Sequence, residues 1–353
     1  MERAMHRRNL LVILSAMFAW LFTGLAMAGP RTIVDDAGRK VELPETINRV
    51  MAAGPPASVL IYALAPEKMV GWVREPSAEE KAFIAPAYRD LPVHGRLTGK
   101  GNTANLEAVL AMKPDVIIDV GTIDDTYASL ADRVQQQTGI PYVLIDGRFA
   151  RTAESLRKAG DIVGAKDQAE KLADYAEKAV SRLNGVIEVV PADKRPRVYY
   201  GRGPEGLETG LAGSINMEIL AIAGAKNVAE AAGSGGLANV SLEQVLSWNP
   251  DVILALDPKF QKSVLEDRHW SGVAAVRDTR VYRAPTVPFG WFDSPPGINR
   301  LVGLAWLAKV LYPDVTNIDL GSDVRDFYKL FYHVDLTQAQ IDTLLADSAP
   351  PAK

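Results

Sequence analysis

Apolar and polar positions follow one pattern twice along this chain. In "NLEAVLAMKPDVIIDV", Asn105 to Val120, Leu106, Val109 and Leu110 recur at helical spacing. Pro114 ends that run, and the β-branched Val116-Ile117-Ile118 follows. In "SLEQVLSWNPDVILAL", Ser241 to Leu256, Leu242, Val245 and Leu246 repeat the spacing, Pro250 ends it, and Val252-Ile253-Leu254-Ala255 follows. Asn105 and Ser241 stand where helix N-caps belong. Glu107 and Glu243 fall in the first turn, where negative charge suits the helix dipole. Each copy predicts a short helix feeding a buried parallel strand. The copies lie too far apart for a solenoid, whose period is about 20–50 residues, so they predict two related lobes.

The remaining pattern agrees. A hairpin-like entry turns at Asp36-Ala37-Gly38-Arg39. Strands near 49–52, 69–72 and 142–145 alternate with helices near 58–63 and 127–137. Residues 166–187 then form one uninterrupted helical pattern, with Ala169, Leu172, Ala173, Ala176, Val180 and Leu183 on its apolar stripe. Past it come a strand at 197–200, the helical "SINMEILAIAGAKNVA" closed by Gly224, a strand in "TRVYRAP" and the apolar helix "GINRLVGLAWLAKVLYP". The tail "SDVRDFYKLFYHVDLTQAQIDTLL" reads as two surface helices. The predicted class is α/β: two Rossmann-like lobes with mostly parallel central sheets, joined by a single long rigid helix. The predicted division is a leader at 1–28, a first lobe at 29–165, the connecting helix at 166–187 and a second lobe at 188–353.

Composition narrows the class. A chain of 353 residues suits two domains. Residues 1–28 read as a cleavable signal peptide: Arg3, Arg7 and Arg8, the apolar "LLVILSAMFAWLF", then Ala26-Met27-Ala28. Cleavage after Ala28 would leave 36 basic and 42 acidic side chains, a net charge of −6. That balance argues against a nucleic-acid binder. There is no cysteine, so neither disulfides nor a lipid-anchored N-terminus is expected. The expected location is the periplasm.

With these features in place, the chain resembles the periplasmic substrate-binding proteins of ABC importers, in the group that carries ferric siderophores, haem and vitamin B12. "NLEAVLAMKPDVII" and "SLEQVLSWNPDVIL" carry the likeness. "FDSPPGINRLVGLAWLAKVLYP" resembles the matching segment of iron-complex and molybdate binders. The resemblance implies a monomeric binding protein, not an enzyme, that passes its ligand to inner-membrane permease subunits. It implies that Glu107 and Glu243, one per lobe, dock into arginine pockets on the permease. The competing reading of both is a first-turn glutamate favoured only by the helix dipole.

In such a protein the ligand sits between the lobes, at the carboxyl ends of the strands. Residues near predicted strand ends are therefore candidates: Trp72, Arg74, Arg96, Arg148, Tyr200, Arg202, Phe289, Trp291 and Asp293. Gly54-Pro55-Pro56, Gly121-Thr122 and Asp257 occupy similar positions. Several arginines suit an anionic ligand, and Phe289 and Trp291 suit a flat or apolar chelate. The expected ligand is a metal chelate, foremost a ferric siderophore or related iron complex. Vitamin B12, haem, other metal complexes and an oxyanion such as molybdate are the alternatives.

No resident cofactor or protein-built metal site is expected. Past the leader only His94, His269 and His333 occur, well separated. His94, beside Arg96, is the best placed to cap a metal held in a chelate. "GRGPEG", Gly201 to Gly206, fits a dinucleotide spacing but lacks the following helix and distal acid. Its glycines are expected to let backbone amides approach the ligand. An exported enzyme is the rival from another class, with no nucleophile–base pair or carboxylate dyad in the sequence to support it.

Overall fold

The structure, a computed structural model, describes residues 29–99, 105–346 and 348; the expected leader at 1–28 lies outside them. β1 (Arg31–Val34) and β2 (Lys40–Leu43) form an antiparallel hairpin. Asp35 closes its turn by accepting from the amides of Ala37 and Arg39 through Oδ1. Then β3 (Val50–Ala52), α1 (Pro55–Leu64), α2 (Leu106–Met112), β4 (Val116–Gly121), α3 (Asp125–Thr138), β5 (Tyr142–Asp146) and α4 (Thr152–Val163) complete the first lobe. Its parallel sheet has the order β3-β4-β5. Helices cover both faces, which is why β4 and β5 are apolar runs rather than alternating ones.

α5 (Lys166–Glu188) crosses to the second lobe over 23 residues, about 35 Å of helix. Its apolar stripe packs against α4 and a later helix, α7. The second lobe holds β6 (Arg197–Gly201), β7 (Glu208–Gly210), β8 (Lys226–Asn227), β9 (Leu237–Asn239), α6 (Leu242–Trp248), β10 (Val252–Ala255), β11 (Val281–Arg283) and α7 (Arg300–Leu311). β11-β10-β6-β8 is a parallel sheet, and β7 pairs with β9 as an antiparallel ribbon. In α7 every residue except Lys309 is buried, so this helix lies in the core that joins both lobes.

The repeated pattern folds into the same object twice. Asn105 Oδ1 accepts from the Ala108 amide at 2.7 Å, and Ser241 Oγ from the Gln244 amide at 3.3 Å. α2 and α6 each have seven residues and end on a left-handed residue, Lys113 at φ 46° and Asn249 at φ 43°. An arginine at the start of the lobe's first sheet strand then satisfies the orphan carbonyls. Arg49 donates to the Met112 and Lys113 carbonyls, Arg197 to those of Trp248 and Asn249. Asp115 and Asp251 close the loop by accepting from the amides of Arg49 and Arg197.

Two expectations are corrected. Residues 69–72 form no strand: Met69 bridges to Val50 and Trp72 to Val93, so the segment is shared between two partners. The tail does form two helices with an exposed face, but it is not confined to the second lobe. α8 (Leu320–Tyr332) and α9 (Gln338–Ala346) follow α7, and α8 packs against α1 of the first lobe. Phe327, Tyr328, Phe331 and Tyr332 are fully buried, and Tyr62 Oη donates to the Tyr332 carbonyl at 2.5 Å. "FYKLFY" places four aromatics along one stripe, more apolar area than an exposed helix leaves in water.

Candidate ligand site

A cavity of about 590 Å³ opens between the lobes. The first lobe contributes the start of α1 at Pro55 and Pro56, the end of β4 from Asp119 to Gly121, and Tyr127 of α3. The second contributes Arg202, just past β6, with Asn216, Leu237 and the Phe289–Pro296 loop. The cavity thus lies at the carboxyl ends of both parallel sheets, where an open α/β sheet leaves a crevice.

Six of the nine candidate residues meet on its wall: Trp72, Arg74, Arg96, Arg202, Phe289 and Asp293. Trp72 is oriented by donation from Nε1 to the Tyr88 carbonyl at 2.8 Å, and its ring lies 6.0 Å from that of Phe289. Arg74 is held by Glu80, Nη1 to Oε2 at 2.7 Å and Nη2 to Oε1 at 2.5 Å. The Glu80 hydrogen bond holds the guanidinium above its ordinary pKa. Burial would raise the Glu80 carboxyl, but Arg74 and the Ser77 amide outweigh it and lower the carboxyl.

Arg202 places Nη1 3.1 Å from Asp293 Oδ2 and Nε 3.5 Å from Glu208 Oε2. Asp293 is 1% exposed. Its Oδ1 accepts from Asn216 Nδ2 and from the Ser294 amide, each at 2.7 Å. Tyr200 is off the wall and fully buried; its hydroxyl donates to Asp293 Oδ2 at 3.2 Å. Burial pushes the Tyr200 phenol well above its ordinary pKa, so it stays a donor. Its place is behind the cavity, orienting Asp293.

Besides Tyr200, two candidates do not reach the cavity. Trp291 is fully buried, and its Nε1 donates to Tyr328 Oη at 3.2 Å. Its backbone carbonyl presses on α7 at Gly303, where a Cβ would come within 1.9 Å of the oxygen. The loop therefore folds Trp291 inward and leaves Phe289 on the wall. Arg148 is captured by the carboxylate two residues before it: Nε and Nη2 lie 2.9 and 2.5 Å from Asp146 Oδ2, and the side chain is 64% exposed.

Smaller expectations shift as well. His94 is buried off the wall, with Nδ1 2.8 Å from the Gly95 carbonyl, and burial lowers its pKa. It caps nothing in the cavity. Asp257 caps the helix that follows it, accepting from the Lys259 amide. Two of the three glycines of "GRGPEG" make room for an aromatic ring: a Cβ at Gly201 or Gly206 would lie 2.4 or 2.2 Å from Phe260.

Behind the cavity Arg300, 1% exposed, donates from Nη1 to the Ile215 carbonyl at 2.7 Å and faces Glu218. Burial pushes its pKa down to about 10, which leaves it charged at neutral pH. Among the described residues no cluster of three His, Asp or Glu side chains could hold a metal ion, and no helix is long and apolar enough to cross a membrane.

Sequence reading passed over Asp119, Thr98, Glu80 and Asn216. Asp119 carries the plainest signal, an acid inside the apolar "VIIDVG". Thr98 Oγ1 and Tyr142 Oη donate to it at 3.0 and 3.1 Å.

Two parallel-sheet lobes, one connecting helix and a cavity at the strand ends define a two-lobed solute-binding protein. The sequence matches the periplasmic binding protein family over residues 73–288, and the chain belongs to that family. The molybdate-binding protein MolA of Haemophilus influenzae is 30% identical over 90% of this chain and 96% of its own length. The structure of MolA bound to molybdate has a TM-score of 0.71 at 28% identity, covering 87% of this chain and 99% of that one. An ABC transporter solute-binding protein from Sulfurospirillum deleyianum has a TM-score of 0.80 at 31% identity, over 90% of this chain and 99% of that one. The haem-uptake protein IsdE of Staphylococcus aureus is 26% identical over 58% of this chain and 69% of its own length. The chain is thus the solute-binding component of an ABC transporter, and the family is one of binding proteins rather than enzymes.

Proposed function

We propose that this protein captures a metal-centred anion, foremost an anionic metal chelate such as a ferric siderophore complex, and delivers it to an ABC permease. The carrying observation is the cavity wall, where Arg74, Arg96 and Arg202 share one space with Trp72 and Phe289. Guanidinium groups recognise carboxylate, catecholate or oxyanion oxygens, and the aromatic faces accept the apolar body of a chelate. The volume lies in the range of sites for drug-sized ligands, more than a bare tetrahedral oxyanion fills. Molybdate is the second reading, favoured by the full-length similarity to MolA.

Glu107 and Glu243 serve this function as docking groups. Both are exposed and sit in the first turns of the matched helices α2 and α6, one per lobe. Carboxylates so placed can take bidentate contacts from permease arginines and set register as well as attraction.

A thermal-shift panel on unliganded protein tests the ligand. Ferric catecholates, ferric hydroxamates, ferric citrate, haem, cobalamin and molybdate are compared with the iron-free chelators. A ligand at about 100 times its Kd adds about 2.7 kcal/mol. A shift with an anionic ferric chelate and not with its free chelator supports the proposal. A shift with molybdate alone moves it to the second reading, and a shift with neutral solutes alone overturns both.

A further inference from the structure

The cavity carboxyls are not held alike. Glu80 is held by Arg74, and Asp293 lies against Arg202. Asp119 ends the apolar run of β4, is 5% exposed, and accepts at both oxygens from uncharged hydroxyls, those of Thr98 and Tyr142. Further titratable and charged groups surround it. Tyr127 faces it from α3 with Asp124 beyond, and Arg39 acts on Tyr142 from behind. Arg74, Arg96 and Arg202, with Glu80 and Asp293, complete the charged wall.

An ionised carboxylate at this depth has little water to stabilise it and would repel an anion entering the same space. A neutral carboxyl there does the opposite, because its O–H can donate to a ligand oxygen.

We propose that Asp119 is the specificity-determining group of the first lobe, and that it takes up a proton when a metal-centred anion binds and donates it as a hydrogen bond to a ligand oxygen. This rests on the anionic-ligand reading above. Burial raises the Asp119 carboxyl above the ordinary aspartate range, and an anion beside it raises it further. Between the pKa of the free protein and that of the complex, affinity falls up to about tenfold per pH unit as pH rises. Below both values it is flat. An amide at this position donates at every pH, so Asp119→Asn removes the slope.

The test is isothermal titration of the purified protein with sodium molybdate and with a ferric tris-catecholate. It runs from pH 5.5 to 8.5 in buffers of contrasting ionisation enthalpy, on wild type and Asp119→Asn. A carboxyl-carbon NMR titration of the unliganded protein runs beside it. The expected results are an Asp119 titration above about 3.9, proton uptake approaching one per ligand between the two pKa values, and an Asp119→Asn affinity that holds the wild-type acid-side value throughout. An Asp119 that titrates at or below the ordinary value overturns the inference whatever the ligand proves to be. An anion that binds without proton uptake, or a slope that survives in Asp119→Asn, overturns the inference and leaves the anionic-ligand reading standing. Binding of neutral or cationic solutes alone overturns both.

Discussion

The ring of Phe149 lies 5.0 Å from the guanidinium carbon of Arg300. Phe149 follows β5 of the first lobe, and Arg300 opens α7 of the second. The Phe149 amide also donates to Glu218 Oε2 at 2.9 Å. Arg300 in turn holds the Ile215 carbonyl on the cavity wall. One buried cation–aromatic contact therefore ties the lobes together directly behind the ligand space, in parallel with the stiff α5. Both features oppose a wide hinge opening and favour a small lobe adjustment on binding.

Phe149→Ala removes the ring and leaves the buried guanidinium without its aromatic face. A buried Phe→Ala change costs about 3–5 kcal/mol. Urea denaturation should show a loss of that size, with Phe149→Leu losing clearly less. An unchanged midpoint in Phe149→Ala would remove this contact from the lobe junction.

Phe289 and Trp291 are two residues apart and have separate jobs. Trp291→Ala should destabilise the protein by about 3–5 kcal/mol, with ligand affinity little changed in whatever remains folded. Phe289→Ala should weaken ligand binding at a smaller stability cost. Melting curves and binding titrations on both variants check this, and the reverse pattern would contradict the assignment.

Glu107→Ala with Glu243→Ala should leave ligand affinity and the melting temperature at wild-type values, because both side chains are exposed and neither lines the cavity. Transport by the reconstituted importer should fall at least tenfold. Full transport by the double variant would reduce both residues to dipole-favoured helix starts.

Asp119 gives a stability prediction that needs no ligand. Its folded pKa is raised by burial, so the fold favours the protonated form. That contribution is present below the unfolded value near 3.9 and is lost as pH rises through the folded value. Asp119→Asn lacks this dependence. Its stability relative to wild type should therefore increase from pH 4.5 to pH 8, as read by urea denaturation at both. A difference that stays constant would contradict the raised pKa.

Legibility in the sequence followed the range of the interactions. The twin helix–strand units, their caps and the 23-residue connector rest on contacts within a few residues, so their pattern was visible in the chain. Arg49 and Arg197 were missed because they cap helices that begin 57 and 45 residues further on, at Leu106 and Leu242; the shared Arg-Val at each strand start is the only local trace. The return of α8 to α1 could not be read because helical periodicity shows an apolar stripe but not which partner covers it. The site divided along the same line. Predicted strand ends marked Arg74, Arg96 and Arg202, whereas the fate of Trp291 depended on Gly303 and that of Arg148 on Asp146.

The most direct measurement is the affinity of a ferric tris-catecholate, its iron-free chelator and molybdate for wild type, Arg202→Leu and Phe289→Ala, by isothermal titration. Wild type should bind a metal-centred anion and discriminate against the free chelator. If the chelate is the ligand, each variant should weaken it at least tenfold; if molybdate is, Arg202→Leu should weaken it and Phe289→Ala should hardly matter. Binding that neither variant disturbs, or a preference for neutral over anionic solutes, would contradict the assignment of this cavity.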